Sequence, residues 1–169
     1  MGIIKWIFSI RKRLGWTGYS VESEKNELRQ KTLSESRDLQ DSHPTLRDKV
    51  RLMQQDAKKY YSCDLIVTSV YRSQGCQNKL YRKGRRNIAG EKIVTNLDGF
   101  IKKSRHNEYP STAVDFAVDD DPGLGVKITW EEEKYQVVGI LAHKHGLEWG
   151  GDWVDFKDFP HVQLPRESA

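Results

Sequence analysis

The chain has 169 residues, of which 37% are hydrophobic and 31% are charged, and its formal net charge at pH 7 is +4. A chain of this length provides one hydrophobic core, with room for one domain and an extension. No apolar run approaches the ~20 residues that a membrane-spanning helix needs. The two cysteines, Cys63 and Cys76, form neither a disulfide framework nor a paired metal or redox motif, and we expect free thiols.

The N-terminal region predicts an amphipathic segment followed by a polar one. Residues 1–16 place apolar side chains on one helical stripe with basic residues after it, the reverse of the order in a secretory signal. Such a helix could lie on an anionic membrane, dock on the domain or fray. Residues 17–41 are too polar to form a core, which predicts a linker, with a polar helix as the alternative. We therefore predict an N-terminal segment and linker over residues 1–41 and one domain over residues 42–169.

The first half of that domain predicts two helices around a strand. Pro44 begins a helix whose apolar residues recur at alternating spacings of four and three. These core-facing side chains are Leu46, Val50, Met53, Ala57 and Tyr60. Residues 65–70 are β-branched and apolar, which predicts a buried strand that leads into Arg72. A second helix over residues 74–83 stops at Gly84, and the basic stretch from 85 to 103 predicts an ordered loop with a short strand at 92–95.

The second half predicts strands that carry polar side chains to one place. Residues 112–118 alternate, which separates the apolar face from the face of Asp115, and residues 160–164 predict a last strand that carries His161. Between them, residues 129–132 read as a capping box that opens a helix ending at Gly146. His143 and His145 fall in its last turn, where the helix dipole favours a cation, and this explains them better than metal binding does.

Two segments offer the chemistry of a hydrolytic zinc site. The first runs from Ser104 to Asp115 and contains His106, and the second runs from Trp149 to His161 and contains Asp158. Two imidazoles and one carboxylate are a donor set that binds catalytic zinc and leaves one position open. Asp158 is a further carboxylate three residues before the last histidine.

These motifs resemble one peptidase family in their order and residue types. The serine-x-histidine segment closing on alanine-x-aspartate, followed by Trp-Gly-Gly-x-Trp and Asp-x-Pro-His, is similar to the zinc D,D-carboxypeptidase and L-alanyl-D-glutamate endopeptidase family, which includes many phage endolysins. The runs 67–73 and 77–85 fit as well, so the resemblance covers about residues 44–164. His106 and Asp115 are nine positions apart, whereas the commoner form has a shorter spacing, so Asp115 depends most on this alignment.

The resemblance implies a fold, a cofactor and a set of roles. The fold would be α+β, with a small antiparallel sheet carrying the ligands and helices packed against it. His106, Asp115 and His161 would hold one zinc ion per chain. Asp158 would be the general base that takes a proton from the attacking water and delivers it to the leaving nitrogen, and Arg72 would stabilise the negative charge of the tetrahedral intermediate. Residues that would bind substrate or orient the ligands are Gln77, Ser104, Glu148 and Trp149, with Glu148 as the competing base and Trp149, Trp153 and Tyr109 either lining the groove or belonging to the core.

The function that the resemblance implies is hydrolysis of a peptidoglycan stem peptide. We expect cleavage between L-alanine and D-glutamate, with D-alanyl-D-alanine carboxypeptidase activity as the alternative. An inactive zinc-binding module that binds cell-wall peptide is the alternative of a different class. The basic charge suits an anionic wall polymer, no nucleic-acid-binding motif is present, and we expect a monomer. We expect a bacterial or phage-encoded protein, made in the cytoplasm and acting at the cell wall or in the periplasm, with residues 1–16 as a peripheral membrane contact.

Overall fold

The computed structural model describes residues 21–32, 34–86, 88–123 and 127–166. The chain divides into two compact units, Met1–Thr32 and Leu33–Ala169. In the first unit, helix α1 spans Val21–Thr32, within the region for which the sequence predicted a linker or a polar helix. The amphipathic segment predicted for residues 1–16 lies outside the described residues. Among the helices that can be described, none is long and apolar enough to cross a bilayer.

Within its described residues, the second unit contains three α-helices, five short strands and four 3-10 helices. The α-helices are α2 at Pro44–Tyr61, α3 at Gln74–Tyr81 and α4 at Gln136–Lys144. The strands are β1 at Asp64–Ser69, β2 at Ala113–Asp119, β3 at Ile128–Thr129, β4 at Glu148–Trp149 and β5 at His161–Gln163. The 3-10 helices are Leu39–Asp41, Arg105–Asn107, Glu132–Tyr135 and Gly150–Asp152.

The sheet brings two of the predicted ligands together. Its strands are antiparallel in the order β1-β2-β5-β4, and β3 pairs with β2. In the β2–β5 register, Asp115 lies directly opposite His161. Side chains that are directly opposite on adjacent strands stand on the same face, only ~5 Å apart at Cβ. The register thus unites two residues that are far apart in sequence.

Helices α2 and α4 cover the opposite face of the sheet. The predicted α2 face from Leu46 to Ala57 is completely buried, and it packs with the alternating apolar side chains of β2, as the sequence pattern indicates. Burying one such aliphatic side chain stabilises the fold by about 1.5–3 kcal/mol. Tyr60 was predicted to join this face but is 59% exposed. The ammonium groups of Lys59 and Lys144 lie over its ring instead.

We use the term strap for residues 34–43, the irregular segment at the start of the second unit. It is held by hydrogen bonds along its length. The Ser36 amide donates to the Tyr71 carbonyl, and the Val70 amide donates to the Ser36 carbonyl, both at 2.8 Å. The carboxylate of Asp41 is buried and accepts from Ser36 Oγ at 2.5 Å and from Tyr109 Oη at 2.9 Å. The compact unit therefore begins at Leu33, earlier than the predicted boundary at Ser42.

Three local expectations differ from the structure, and for Thr129 pairing within the sheet explains the difference. Thr129 is not a helix cap, because it pairs with Val118 in the sheet and its hydroxyl accepts from the Glu131 amide, so the 3-10 turn begins at Glu132. Residues 92–95 form no strand, and α3 ends at Tyr81. His143 and His145 bond to Asp152 and Asp56 at 2.6 and 2.8 Å. Both cysteines are free, as expected.

Candidate metal centre and active site

Three side chains from separate elements converge at the sheet face that the helices leave open. His106 Nε2 lies 3.0 Å from Asp115 Oδ1, and His161 Nδ1 lies 2.9 Å from the same oxygen. The two imidazole nitrogens are 3.2 Å apart. Among the described residues, this is the group of histidine, cysteine and acidic side chains whose ligand atoms approach closely enough to share one cation.

His106 is held by main-chain groups. It lies in the 3-10 helix Arg105–Asn107, where the Ser104 hydroxyl accepts from the His106 amide at 3.3 Å and Asn107 completes a capping box. Its Nδ1 is 2.6 Å from the Val70 carbonyl. Because a carbonyl can only accept, Nδ1 carries the hydrogen and Nε2 presents its lone pair to the cluster. Ser104 thus positions His106, one of the two roles that the sequence left open for it.

His161 is held by side chains. Its Nε2 is 3.1 Å from Gln163 Oε1, and the Gln163 amide in turn donates to Glu148 Oε2 at 2.5 Å. Glu148 lies directly opposite Gln163 in the β4–β5 pair. The carboxylate fixes which end of the amide faces His161, so Nε2 donates and Nδ1 points at the cluster. Glu148 therefore orients a candidate ligand, and its geometry favours this role over that of a base.

The donor set fits a zinc ion. The cluster joins one imidazole lone pair, one carboxylate oxygen and a second imidazole nitrogen within 3.2 Å, and at most one of these atoms carries a hydrogen. Burial lowers the pKa of His106, so its ring is neutral at pH 7. Burial also acts against protonation of His161, but its hydrogen bond to Asp115 raises its pKa overall. A proton and a metal ion compete for that nitrogen, so metal affinity is expected to fall at acid pH.

Asp115 is stabilised as a carboxylate from both sides. Burial by itself raises its pKa, but the neighbouring imidazoles and the Arg72 guanidinium outweigh burial and hold the pKa well below its usual value. Arg72 forms an ion pair with Asp115 Oδ2 and also donates to Ser69 Oγ at 2.9 Å and to Gln77 Oε1 at 3.1 Å. The structure thus brings Arg72 to the cluster through an ion pair with a candidate ligand.

Asp158 is the one carboxyl group beside the cluster whose oxygens accept no hydrogen bond from the described residues. Its main chain is fixed, since its amide donates to Gly150 and its carbonyl accepts from His161. A Cβ on Gly150 would lie 2.4 Å from the Asp158 carbonyl oxygen, so only glycine allows this approach. Burial, with the negative charge of Asp115, raises the pKa of Asp158 to about 6.

The cluster and Asp158 line an open cavity of about 600 Å³. Gln77 also lines it but is buried and donates to Leu97 O at 3.0 Å, so it fixes Arg72 and the loop rather than offering free polar groups. Trp153 lines the cavity with its ring 5.1 Å from that of His161. Trp149 packs in the core and donates to Phe159, and Tyr109 packs on Tyr71, so neither ring forms part of the cavity wall.

Several functional groups escaped the sequence analysis. The Val70 carbonyl has no side-chain signal, and Gln163 was not singled out, although its place two residues after His161 puts it on the same face of the strand. The cavity wall also contains three basic side chains that no described acidic residue pairs, Lys83, Lys103 and Arg166. Lys83 and Lys103 belong to the stretch that follows α3 and Arg166 follows β5, and no periodicity reveals that they line one cavity.

A buried histidine–aspartate–histidine cluster beside an uncommitted carboxylate, at the base of a cavity, defines a metallopeptidase type of site. A sequence profile described as D-alanyl-D-alanine carboxypeptidase matches residues 101–164. The peptidoglycan L-alanyl-D-glutamate endopeptidase CwlK of Bacillus subtilis (strain 168) is 32% identical over 133 residues, which cover 73% of this chain and 74% of that protein. The crystal structure of the Serratia marcescens L-Ala D-Glu endopeptidase ChiX superposes with a TM-score of 0.54 at 25% identity, covering 87% of this chain and 89% of the other.

The chain therefore belongs to the zinc D,D-carboxypeptidase and L-alanyl-D-glutamate endopeptidase family. The predicted family and the predicted α+β fold, with its small antiparallel sheet, are both confirmed.

Proposed function

We propose that this protein is a zinc-dependent peptidoglycan hydrolase that cleaves the stem peptide between L-alanine and D-glutamate. The observation that carries the proposal is the convergence of His106, Asp115 and His161 beside the free carboxyl group of Asp158 in one cavity. Two similar proteins, CwlK and ChiX, are both named as endopeptidases for this bond. Their names support the bond assignment.

We infer that His106 Nε2, Asp115 Oδ1 and His161 Nδ1 hold one zinc ion per chain. Zinc in such a site polarises a carbonyl group and lowers the pKa of water. The chain's own contribution is to orient the three donor atoms. Val70 and Gln163 set the two imidazole tautomers. Arg72 forms an ion pair with the second carboxylate oxygen of Asp115.

We assign the proton transfers to Asp158. Its carboxyl group lines the cavity and accepts no hydrogen bond from the described residues, so it is available to a water molecule and then to the leaving nitrogen. A pKa of about 6 lets it take up a proton near neutral pH more readily than an ordinary aspartate does. Glu148 is already bonded to Gln163, which disfavours it as the base.

We assign Arg72 two tasks. Three of its N–H groups donate to Ser69, Gln77 and Asp115. A guanidinium has five N–H donors, so two are left for an oxygen of the substrate. Because Arg72 lines the cavity, these donors are available where negative charge develops during attack on the amide.

The bond is tested by digesting purified sacculi and identifying the products by mass spectrometry. Cleavage at the proposed bond releases peptides that begin with D-glutamate and leaves L-alanine on the muramyl group. Release of D-alanine alone would establish the carboxypeptidase alternative, which the description of the matching profile favours. Absence of any cleavage, with stem peptide still bound, would establish the inactive module, although His106, Asp115, His161 and Asp158 are all present.

We further propose that the protein acts as a monomer at the cell wall and that residues 1–16 contact an anionic membrane surface. The support is the sequence alone, an apolar stripe followed by Arg11, Lys12 and Arg13. Sedimentation with anionic vesicles, comparing the full chain with a form that lacks residues 1–16, tests the membrane contact. Equal and negligible binding of the two forms would remove it, and sedimentation equilibrium measures the oligomeric state.

A further inference from the structure

The turn from Asp98 to Lys103, which we name the lip turn, has a shape fixed by its own hydrogen bonds. Asp98 Oδ1 accepts from the backbone amides of Phe100, Ile101 and Lys102 at 2.6, 2.8 and 3.3 Å. The Gly99 amide donates to the Lys102 carbonyl at 3.0 Å. The side chains at its tip are therefore presented in one arrangement.

The lip turn is also seated firmly on α3. Gly99 has a φ of +84°, and a Cβ there would lie 2.8 Å from Gln77 Cβ and 2.9 Å from the Gln74 carbonyl oxygen. Asn78 donates its side-chain amide to the Asp98 carbonyl at 3.2 Å. Because Gln77 also bonds to Arg72, the turn and the active site rest on the same helix.

What this rigid turn presents is apolar. The side chain of Ile101 is 92% exposed and that of Phe100 is 55% exposed, so neither contributes much to the core. Leu97 and Lys103, on either side of the tip, both line the active-site cavity. Single exposed apolar residues are ordinary, but two adjacent ones on a clamped turn at the rim of a cavity indicate a contact surface.

The stretch of chain around the lip turn is strongly basic. Residues 79–105 contain nine lysines and arginines against two acidic residues, Glu91 and Asp98, a net charge of +7 in a chain whose net charge is +4. Lys102 and Lys103 are exposed next to the apolar tip. The partner of this surface is therefore expected to offer both apolar faces and carboxylates.

We propose that the lip turn contacts the part of the peptidoglycan polymer next to the stem peptide in the cavity. The inference rests on the proposed function. Sugar rings present C–H faces to Phe100 and Ile101, and the neighbouring stems present carboxylates to Lys102. An anionic bilayer offers similar chemistry, but Lys103 belongs both to the turn and to the cavity wall. A membrane seated on the turn would therefore cover that side of the entrance.

The test compares the hydrolysis of intact sacculi with that of a soluble muropeptide, both by the full chain and its variants. Phe100→Ser with Ile101→Ser should lower kcat/KM on intact sacculi by about tenfold, a loss of about 1.4 kcal/mol of binding. Hydrolysis of a soluble muropeptide should stay within about twofold, because the small substrate does not reach the tip. Ile140→Ser, a half-exposed aliphatic residue on α4, is the matched control and should change neither rate. Ile101→Ser alone provides a variant that cannot disturb folding through lost packing.

A second readout does not depend on catalysis. Co-sedimentation of each form with sacculi should show about tenfold weaker binding of the double variant. Lys102→Glu should also weaken binding to sacculi, and this effect should be larger at low salt than at high salt. An equal loss on both substrates, or unchanged binding to sacculi, would overturn the proposal. So would lost binding to phosphatidylglycerol vesicles with binding to sacculi retained. If the wild-type chain bound sacculi through the lip turn but cleaved nothing, the proposed function would fail while this proposal stood.

Discussion

The two walls of the cavity are built on different physical principles. The wall that carries His106, Asp115 and His161 belongs to the sheet and its 3-10 helix, and its side chains are buried and fixed by hydrogen bonds. The other wall, formed within residues 80–103, has no strand among its described residues and consists mostly of exposed or half-exposed side chains held by a few polar contacts.

This difference separates chemistry from recognition. In the buried wall, each group is bonded to its neighbours in a fixed geometry, so removal of a single atom leaves another group uncompensated. In the exposed wall, charges are solvated and contacts are spread over many side chains, so single changes have small effects. Substitutions should therefore divide into those that abolish turnover and those that shift substrate preference.

The largest effect is expected at the proposed metal ligands. His106→Ala and His161→Ala should each lose zinc and reduce hydrolysis to the background, because two donors do not hold the ion at catalytic concentrations. Elemental analysis and a muropeptide assay measure the two properties on the same sample. His143→Ala, an exposed histidine bonded to Asp152, is the control and should keep both. Full activity in a sample proven free of metal would show the assignment to be wrong.

The next largest effect is expected at Asp158. Asp158→Asn should keep zinc and lower kcat by about 100 to 10,000-fold, because an amide cannot accept the proton. Asp155→Asn, on the same loop and exposed, is the matched control. Glu148→Gln should have the smaller effect of the two acidic sites, since an amide oxygen can still accept from Gln163. If Glu148→Gln proved the more damaging, the assignment of the base would be reversed.

The same carboxyl group should limit stability in the metal-free protein. Since burial raises the pKa of Asp158 to about 6, the folded state binds its proton more tightly than the unfolded state does. Its stabilising contribution is present below about pH 4 and is lost as pH rises through about 6. At pH 8, the free energy of unfolding of Asp158→Asn should therefore exceed that of wild type by up to about 3 kcal/mol. Near pH 4, the two should be equal. Urea titrations in the presence of a chelator measure this, and a difference that grew towards low pH would contradict it.

A smaller effect is expected at Gln163, the residue that orients His161. Gln163→Leu removes the acceptor for His161 Nε2 and should weaken zinc binding by about 10 to 100-fold, whereas Gln163→Glu should restore an acceptor. Chelator competition gives the affinity, and nitrogen NMR of the metal-free protein reports the imidazole tautomer. Equal affinities for the leucine variant and wild type would show that the β5 backbone alone orients the ring.

The smallest effect is expected from removing the first unit. A chain that begins at Leu33 should keep the melting temperature and the muropeptide activity of the full chain, because the strap remains. A chain that begins at Ser42 loses the hydrogen bonds of Ser36 and Asp41 and should melt lower by several degrees, as a loss of 1 kcal/mol shifts Tm by about 2–8 °C. Thermal unfolding of both forms decides between them. Equal melting temperatures would place the boundary at Ser42, where the sequence predicted it.

What the sequence predicts well here is what side-chain patterns record. The apolar face of β2 that alternates with Asp115 and the apolar face of α2 follow from burial, and both lie in the core. The strap is different, because its attachment uses backbone groups of polar residues, which carry no hydrophobic signal. The prediction of a helix cap at Thr129 is wrong for a related reason. The spacing to Glu132 suits a helix cap, but pairing with Val118 is a long-range contact that outweighs the local preference.

Gln163 shows the same limit at the site. Its role depends on Glu148 lying across the strand pair, which only the β4–β5 register reveals. Motif resemblance predicts the candidate ligands together with Ser104 and Glu148, whereas the roles of Val70 and Gln163 depend on tertiary contacts.

The hydrogen bonds of the strap also make one amide a reporter of the active site. The Val70 amide donates to Ser36, while the Val70 carbonyl accepts from both His106 Nδ1 and Ser111 Oγ. Opening of the strap should therefore loosen the peptide segment that orients His106, a proposed metal ligand. Hydrogen exchange at this single amide would follow the integrity of the site without substrate or spectroscopic label, and loading with metal should slow it.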